Sequence, residues 1–384
     1  MASANLIYLD YNATTPLDQG VLGQMNPWFV EQFWNAASSH IGGRTASDAV
    51  ATARNQVAAL IGARPSEIVW TSGATEAINL AIKGVVQQPG TDRKRVVTFA
   101  TEHKAVLDTC TWLSDQGSPV TVLAVNPDGS IPLDSLSEAL DAGDISLVSV
   151  MAANNETGVL ADLSSVVSLS HASGALVHTD ATQLAGKLPF DVADLEVDLA
   201  SLSAHKLYGP KGMGALFVSR KTAISPLTHG GGHERGMRSG TLNVPGIVGF
   251  GAAAQIATRA MHSESDRQRA LISQLLDYLL ASTPSIEVTT KSADRLPNTV
   301  NLRICGADAE AIMANCPELA ISSGSACTAL IPEASHVLRA MGLSSDEAHE
   351  CIRISVGRPT TQQNVLDGAT MIADAIARVR SFNP

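Results

Sequence analysis

The chain has no apolar run of the roughly 18 residues needed to span a bilayer. Its first residues hold no basic stretch leading into an apolar one, so neither membrane insertion nor export is expected. Basic residues are not in excess: 26 Lys and Arg against 37 Asp and Glu give a net charge of -11. That balance serves solubility and argues against a broad surface for direct nucleic-acid binding. Cysteine is scarce, and its count of five is odd. Cys110, Cys305, Cys316, Cys327 and Cys351 include no CxxC pair, so they form neither a disulfide framework nor a zinc site of ordinary spacing. A reducing cytoplasm is the expected setting. Internal repeats and low-complexity linkers are also missing. What remains is a globular composition, 45% hydrophobic and 16% charged, over 384 residues. That length suffices for a large core and about two domains.

Short apolar runs alternate with helical stretches through the first 220 residues. Strands are expected at 67–70, 95–99, 120–123, 146–150, 175–180, 199–203 and 215–218. This alternation predicts an α/β fold with a mainly parallel sheet, whose ligands sit beyond the carboxyl ends of the strands. From Leu271, the residues Ile272, Leu275, Leu276, Leu279 and Leu280 recur at helical spacing, predicting an amphipathic helix that leads into a second domain.

The most informative stretch runs from Ser201 to Gly212, where an apolar strand ending at Ser203 gives way to His205, Lys206 and a Gly/Pro turn. A lysine there is either a solvated loop residue or a partly desolvated amine. Desolvation disfavours the ammonium form, and a Schiff base with an aldehyde cofactor, pyridoxal 5'-phosphate, removes that cost. The run Ala175 to Asp180 ends in a carboxylate suited to the protonated ring nitrogen of such a cofactor, and Gln183 lies just beyond it.

Other segments carry two readings each. Ser72-Gly73-Ala74-Thr75-Glu76 is a plain helix cap or a phosphate cradle of backbone N–H groups. Glu102-His103-Lys104 holds a surface histidine or an imidazole placed over a flat ring. Asn154 and Asn155 are turn formers or ligand contacts. Gly230 to Thr241 is a flexible loop or a source of phosphate donors. Arg353, between apolar neighbours, makes a structural ion pair or receives a substrate carboxylate. Ser322 to Thr328 sets Cys327 among small polar residues, where a thiol is accessible, whereas the other four cysteines read as small buried hydrophobes.

Taken together, these segments resemble the cysteine desulfurases of the NifS and IscS type, fold-type I enzymes of the class V aminotransferase family. The resemblance runs from Tyr8-Leu9-Asp10-Tyr11-Asn12-Ala13-Thr14-Thr15-Pro16 to Arg353-Ile354-Ser355-Val356-Gly357-Arg358. It implies a large cofactor domain, residues 16–260, and a smaller α+β domain made of 1–15 and 261–384 that carries the catalytic cysteine. It further implies that Lys206 carries pyridoxal phosphate and moves the Cα proton, while His103 stacks on the ring. Asp180 would pair with the ring nitrogen and Gln183 with the ring hydroxyl. Ala74, Thr75, Ser203 and His205 would hold the phosphate, with Thr241 contributed by the other subunit of a homodimer. Asn155 and Arg353 would position L-cysteine, and Cys327 would take its sulfur as a persulfide for an acceptor protein. Iron–sulfur cluster biosynthesis, tRNA thiolation and DNA phosphorothioation are the destinations the family offers. The chain stops soon after its last helical pattern, whereas housekeeping members carry a longer tail that helps dock an iron–sulfur scaffold, a departure that bears on that partner and not on the chemistry. The rivals are a selenocysteine lyase or aminotransferase of the same fold, and a non-catalytic scaffold. Cys327 argues against simple transamination; Lys206, Asp180 and His103 together argue against the scaffold.

Overall fold

The computed structural model describes residues 6–90, 92–323 and 334–382; Cys327 lies outside them. The strands in chain order are β1 (Ile7–Tyr8), β2 (Ile68–Thr71), β3 (Arg95–Phe99), β4 (Val120–Leu123), β5 (Ile145–Met151), β6 (Leu176–Asp180), β7 (Leu199–Ser203), β8 (Gly214–Val218), β9 (Ile286–Val288), β10 (Thr299–Ile304), β11 (Leu319–Ala320) and β12 (Cys351–Ser355). The helices are α1 (Gln19–Met25), α2 (Pro27–Val30), α3 (Ile41–Leu60), α4 (Ala74–Val86), α5 (Lys104–Asp115), α6 (Leu133–Leu140), α7 (Leu163–Ala172), α8 (Val244–Ser282), α9 (Ala309–Ala314), α10 (His336–Ala340), α11 (Ser345–His349) and α12 (Gln362–Phe382).

β5, β7 and β8 are buried at every residue, which is why they read as apolar runs broken only by small serines, with no charged residue facing outward. They belong to a seven-stranded sheet of order β2-β8-β7-β6-β5-β3-β4. Its pairs are parallel except those of β8, which runs antiparallel to both β7 and β2. The mainly parallel sheet expected from the sequence is therefore present. Register sets Met151 opposite Asp180 and Asp180 opposite Ser201, so the carboxyl ends of β5, β6 and β7 share one edge. Ligand-binding residues in such sheets collect there.

The outer edge of β2 is closed by side chains rather than by a further strand. Arg54 and Arg235 both donate to the Ile68 carbonyl, at 2.6 and 2.9 Å, and Glu234 accepts the Trp70 N–H at 2.9 Å. Arg54 also grips Glu234 with two hydrogen bonds, of 2.8 and 2.7 Å. Glu234 and Arg235 are thus fastened to their own sheet, which also blunts an edge that would otherwise pair with another chain.

The helix foreseen from Leu271 is the far end of α8, which begins at Val244 and runs for 39 residues. Its first three turns, Val244 to Ala254, are enclosed on nearly all sides and rich in Gly and Ala, so no apolar stripe marks them. Close contact with α3 requires the glycines: a Cβ on Gly251 would lie 2.6 Å from the Ala53 Cα. The second half of α8 packs on an antiparallel sheet of order β12-β10-β9. That core joins Leu9 with Leu275, Leu302, Ile354 and Ile372, so both ends of the chain supply it.

Cys110, Cys316 and Cys351 are buried as expected, but Cys305 is only half-buried. It follows the last residue of β10, and the reading of it as a buried hydrophobe is corrected: its backbone is still held, by the Ser285 carbonyl and the Arg380 guanidinium, but the strand that kept its neighbour Ile304 in the core has ended. No helix among the described residues is long and apolar enough to cross a membrane. No group of three or more His, Cys, Asp or Glu among them could hold a metal ion.

Candidate active site

A cleft opens at the carboxyl edge of the large sheet, and most residues singled out in the sequence line it: Ala74, Thr75, His103, Asn155, Asp180, Gln183, Ser203, His205, Lys206 and Arg353. Thr241 is exposed and is not among the residues lining the cleft of its own chain. Cys327 lies outside the described residues.

At one end of the cleft, Gly73 caps α4 with no side-chain hydrogen bond to the first turn, leaving backbone N–H groups of that turn without a side-chain cap. A Cβ on Gly73 would meet nothing within 4 Å, so the approach is open. From behind, β8 presses close: a Cβ on Gly214 would lie 2.5 Å from the Gly73 carbonyl carbon. Ser203, His205 and Lys211 line the same cleft. His205 is held neutral by burial, which draws its pKa down to about 4, with Lys206 and Lys211 adding to the effect. Thr14 Oγ1 lies 3.0 Å from His205 Nδ1, leaving Nε2 as the ring's other polar atom.

His103 is the N-cap of α5, and its Nδ1 accepts the Ala105 N–H at 3.0 Å. A neutral His103 therefore carries its proton on Nε2. Burial holds its pKa below the ordinary imidazole value, against the opposing pull of Asp180. Asp180 ends β6 and is 6% exposed. One of its oxygens accepts the Thr182 N–H at 3.0 Å. The buried Thr182 hydroxyl, also on the cleft, has no hydrogen-bond partner among the described residues.

Lys206 occupies the single turn that follows β7 and donates to the carbonyls of Asn12 and Ala13. The turn is tightly determined. Tyr208 takes a left-handed φ of 64°, costly for a residue with a Cβ. Its N–H is bound by Thr15 Oγ1 at 2.8 Å, its ring is covered by Arg358 at 4.0 Å, and its hydroxyl accepts the Arg358 N–H at 2.6 Å.

The two asparagines divide their work. Asn154 is the turn former: its Oδ1 accepts the N–H groups of Glu156 and Thr157, both at 2.9 Å. Asn155 faces the cleft. Arg353, in β12, has a side chain 5% exposed. It pairs with Asp10 and donates to the Asn155 carbonyl at 3.1 Å, while its Nε has no partner among the described residues. The ion-pair reading is realised, and one buried donor remains beside the cleft.

Sequence reasoning passed over Asn12 and Lys187. Asn12 is 1% exposed and touches four separate segments, through Ser355, Thr299, Gln183 and Lys206. Its place inside the Tyr8–Pro16 motif was the available signal.

These residues fit pyridoxal 5'-phosphate. The uncapped turn of α4 suits its phosphate, buried Asp180 its cationic ring nitrogen, and Lys206 its aldehyde. The unpartnered Thr182 hydroxyl and Gln183 supply further polar contacts.

Comparison with known proteins agrees with this geometry. The model of the family "Aminotransferase class-V" matches residues 7–367. The chain is 50% identical over 381 residues to cysteine desulfurase IscS of Anaeromyxobacter sp. (strain Fw109-5), covering 98% of this chain and 94% of that one. It is 47% identical over 390 residues to a cysteine desulfurase of Frankia sp. (strain EuIK1), covering 98% and 93%. A solved NifS-like protein superposes with a TM-score of 0.91 at 36% identity, covering 97% of this chain and all of the other. Sheet order, cleft chemistry and full-length similarity coincide, and the chain belongs to the pyridoxal-phosphate-dependent cysteine desulfurases of the class V aminotransferase family.

Proposed function

We propose that this desulfurase works through the residues gathered at the cleft. Asp180 holds the ring nitrogen of the cofactor, His103 lies against the ring, and Gln183 meets the ring hydroxyl. Thr75, Ser203, His205 and the first turn of α4 hold the phosphate. Bound pyridoxal phosphate supplies the electron sink that acidifies the substrate Cα–H and releases the sulfur. Lys206 Nζ carries the proton at Cα. Asn155 and Arg353 orient L-cysteine. Cys327 Sγ bonds to the substrate sulfur as the C–S bond breaks, so L-cysteine and a thiol become L-alanine and a Cys327 persulfide. The observation that carries this reading is the convergence of Lys206, Asp180 and His103 on one cleft.

Arg353 provides the test of substrate orientation. A charge-assisted pair with a carboxylate contributes about 2–3 kcal/mol, roughly a hundredfold in affinity. Arg353→Ala is expected to weaken L-cysteine binding by about that factor in spectral titrations while weakening cofactor binding far less. Unchanged cysteine affinity would leave Arg353 with its Asp10 ion pair alone.

We further read the enzyme as a homodimer of two-domain subunits, residues 16–260 forming the large domain and 1–15 with 261–384 the small one. Phe29, Val30, Phe33 and Ile41 are 57%, 77%, 72% and 72% exposed within one short stretch, an apolar concentration suited to a second copy. Arg54, Arg235 and Arg238 fasten the segment before Thr241 to their own chain, the last through Glu76 at 2.8 Å, while Thr241 stays exposed. This arrangement suits a Thr241 that serves the partner's phosphate site. Mixing Lys206→Ala subunits with Thr241→Asp subunits tests it. If Thr241 acts in trans, each heterodimer has one site with both defects and one intact site, so activity returns. With subunit exchange verified, absence of rescue would refute the shared site.

The acceptor of the persulfide sulfur is read as a protein that serves iron–sulfur clusters, tRNA thiolation or DNA phosphorothioation. The four described cysteines, all free, suit a cytoplasmic enzyme.

A further inference from the structure

Gln183 reaches the cleft from the turn after β6, and its amide is held at both ends. Its Nε2 donates to the Asn12 carbonyl at 2.9 Å, and its Oε1 accepts from Lys187 Nζ at 2.7 Å. Lys187 also donates to Asn12 Oδ1 at 3.3 Å. The Asn12 carbonyl that receives Gln183 receives Lys206 as well. Lys187, Gln183, Asn12 and Lys206 are therefore one connected hydrogen-bond network, although Lys187 itself does not line the cleft.

The chemistry of an amide gives this network a direction. An ammonium group has only donors, so it tolerates the oxygen end of Gln183 and repels the NH2 end. With Oε1 committed to Lys187 and one Nε2 hydrogen committed to Asn12, the second Nε2 hydrogen remains for the cleft. An ammonium on the oxygen also polarises the amide and strengthens its N–H as a donor. Such a donor suits an oxyanion, the form that a ring hydroxyl takes on ionisation.

Lys187 has little other reason to be where it is. It is half-buried, and burial draws its pKa down to about 7, with Lys206 and Arg353 adding to the effect. Lys187 also lines a second cavity, shared with Tyr11, Tyr208 and Met261. A methionine could fill that space without the cost of desolvating a cation.

We propose that Lys187 is a positioning residue of the active site, which fixes the Gln183 amide with its N–H edge toward the cofactor by donating to Gln183 Oε1 and Asn12 Oδ1. The proposal rests on the reading of Gln183 as a cofactor contact.

A double-mutant cycle tests it, using full-length holoenzyme of the wild type, Lys187→Met, Gln183→Ala and the double variant. The readouts are the rate at which pyridoxal phosphate is lost to a phosphatase trap and the position of its absorption band; thermal melting reports folding separately. Lys187→Met is expected to speed cofactor loss about tenfold and to shift the band. In the Gln183→Ala background the same substitution should change the rate by less than about twofold and leave the band in place. An equal effect of Lys187→Met in both backgrounds, or none in either, overturns the proposal and leaves Gln183 as a contact. Gln183→Ala without effect on rate or band overturns the reading of Gln183, and the proposal with it. If Lys187→Met does not fold, Lys187→Leu, which likewise has no donor, carries the same cycle with the same expected outcomes.

Discussion

Replacing Lys206 with alanine is expected to abolish covalent attachment of pyridoxal phosphate. The wild-type protein should be yellow, and borohydride reduction followed by peptide mapping should place a pyridoxyl group on Lys206. The lysine is well prepared for that bond. The strained turn at Tyr208 fixes its backbone, and two carbonyls, those of Asn12 and Ala13, fix its Nζ. The variant keeps the partner of Gln183, because the Asn12 carbonyl is main chain. Non-covalent cofactor binding should therefore persist while turnover falls by at least the 10²–10⁴-fold typical of a lost proton-transfer group. Lys211 also lines the cleft and is the nearest competitor in kind. A label on Lys211, or on any lysine but Lys206, would sink the assignment.

Cys327→Ser should give the second large effect, sulfide release reduced to about 1% of wild type or less, with cofactor binding and the spectral response to L-cysteine retained. A serine hydroxyl is a poor nucleophile toward sulfur, and a thiolate is the reactive form of cysteine. The remaining thiols cannot take its place. Burial pushes those of Cys110 and Cys351 up to about 12, so about one molecule in 10⁵ is ionised at pH 7. Burial raises Cys316 as well. Cys305 is half-buried but does not line the cleft. Substituting any of these four should change turnover far less. Normal conversion of cysteine to alanine by Cys327→Ser protein would contradict the role given to Cys327.

The residues with the largest expected effects are also those the sequence marks best. Asp180 ends an apolar run and Lys206 stands in the turn just beyond another, and a mainly apolar run buried on both faces is a strand whose exit can be counted. The bounds of β3, β4 and β7 match their sequence reading residue for residue. Local composition also marked the cap of α4 and the second half of α8, where one helix face is apolar and the other is not.

Tertiary structure alone decided the rest. Nothing in the residues of β8 states its direction, because a buried strand is equally apolar either way; its pairing with β7 and β2 sets it. The start of α8, Val244 to Ala254, was illegible because enclosure on nearly all sides removes the stripe that identifies a surface helix. Asn154 and Asn155 are the same residue type side by side, and only the turn that Asn154 closes separates their roles. Arg353 meets Asp10 across 343 residues of chain, and Lys187 meets Asn12 across 175. Such pairings depend on which segments the fold brings within hydrogen-bond reach. A single sequence records residue type and local spacing, and these long-range meetings are written in neither.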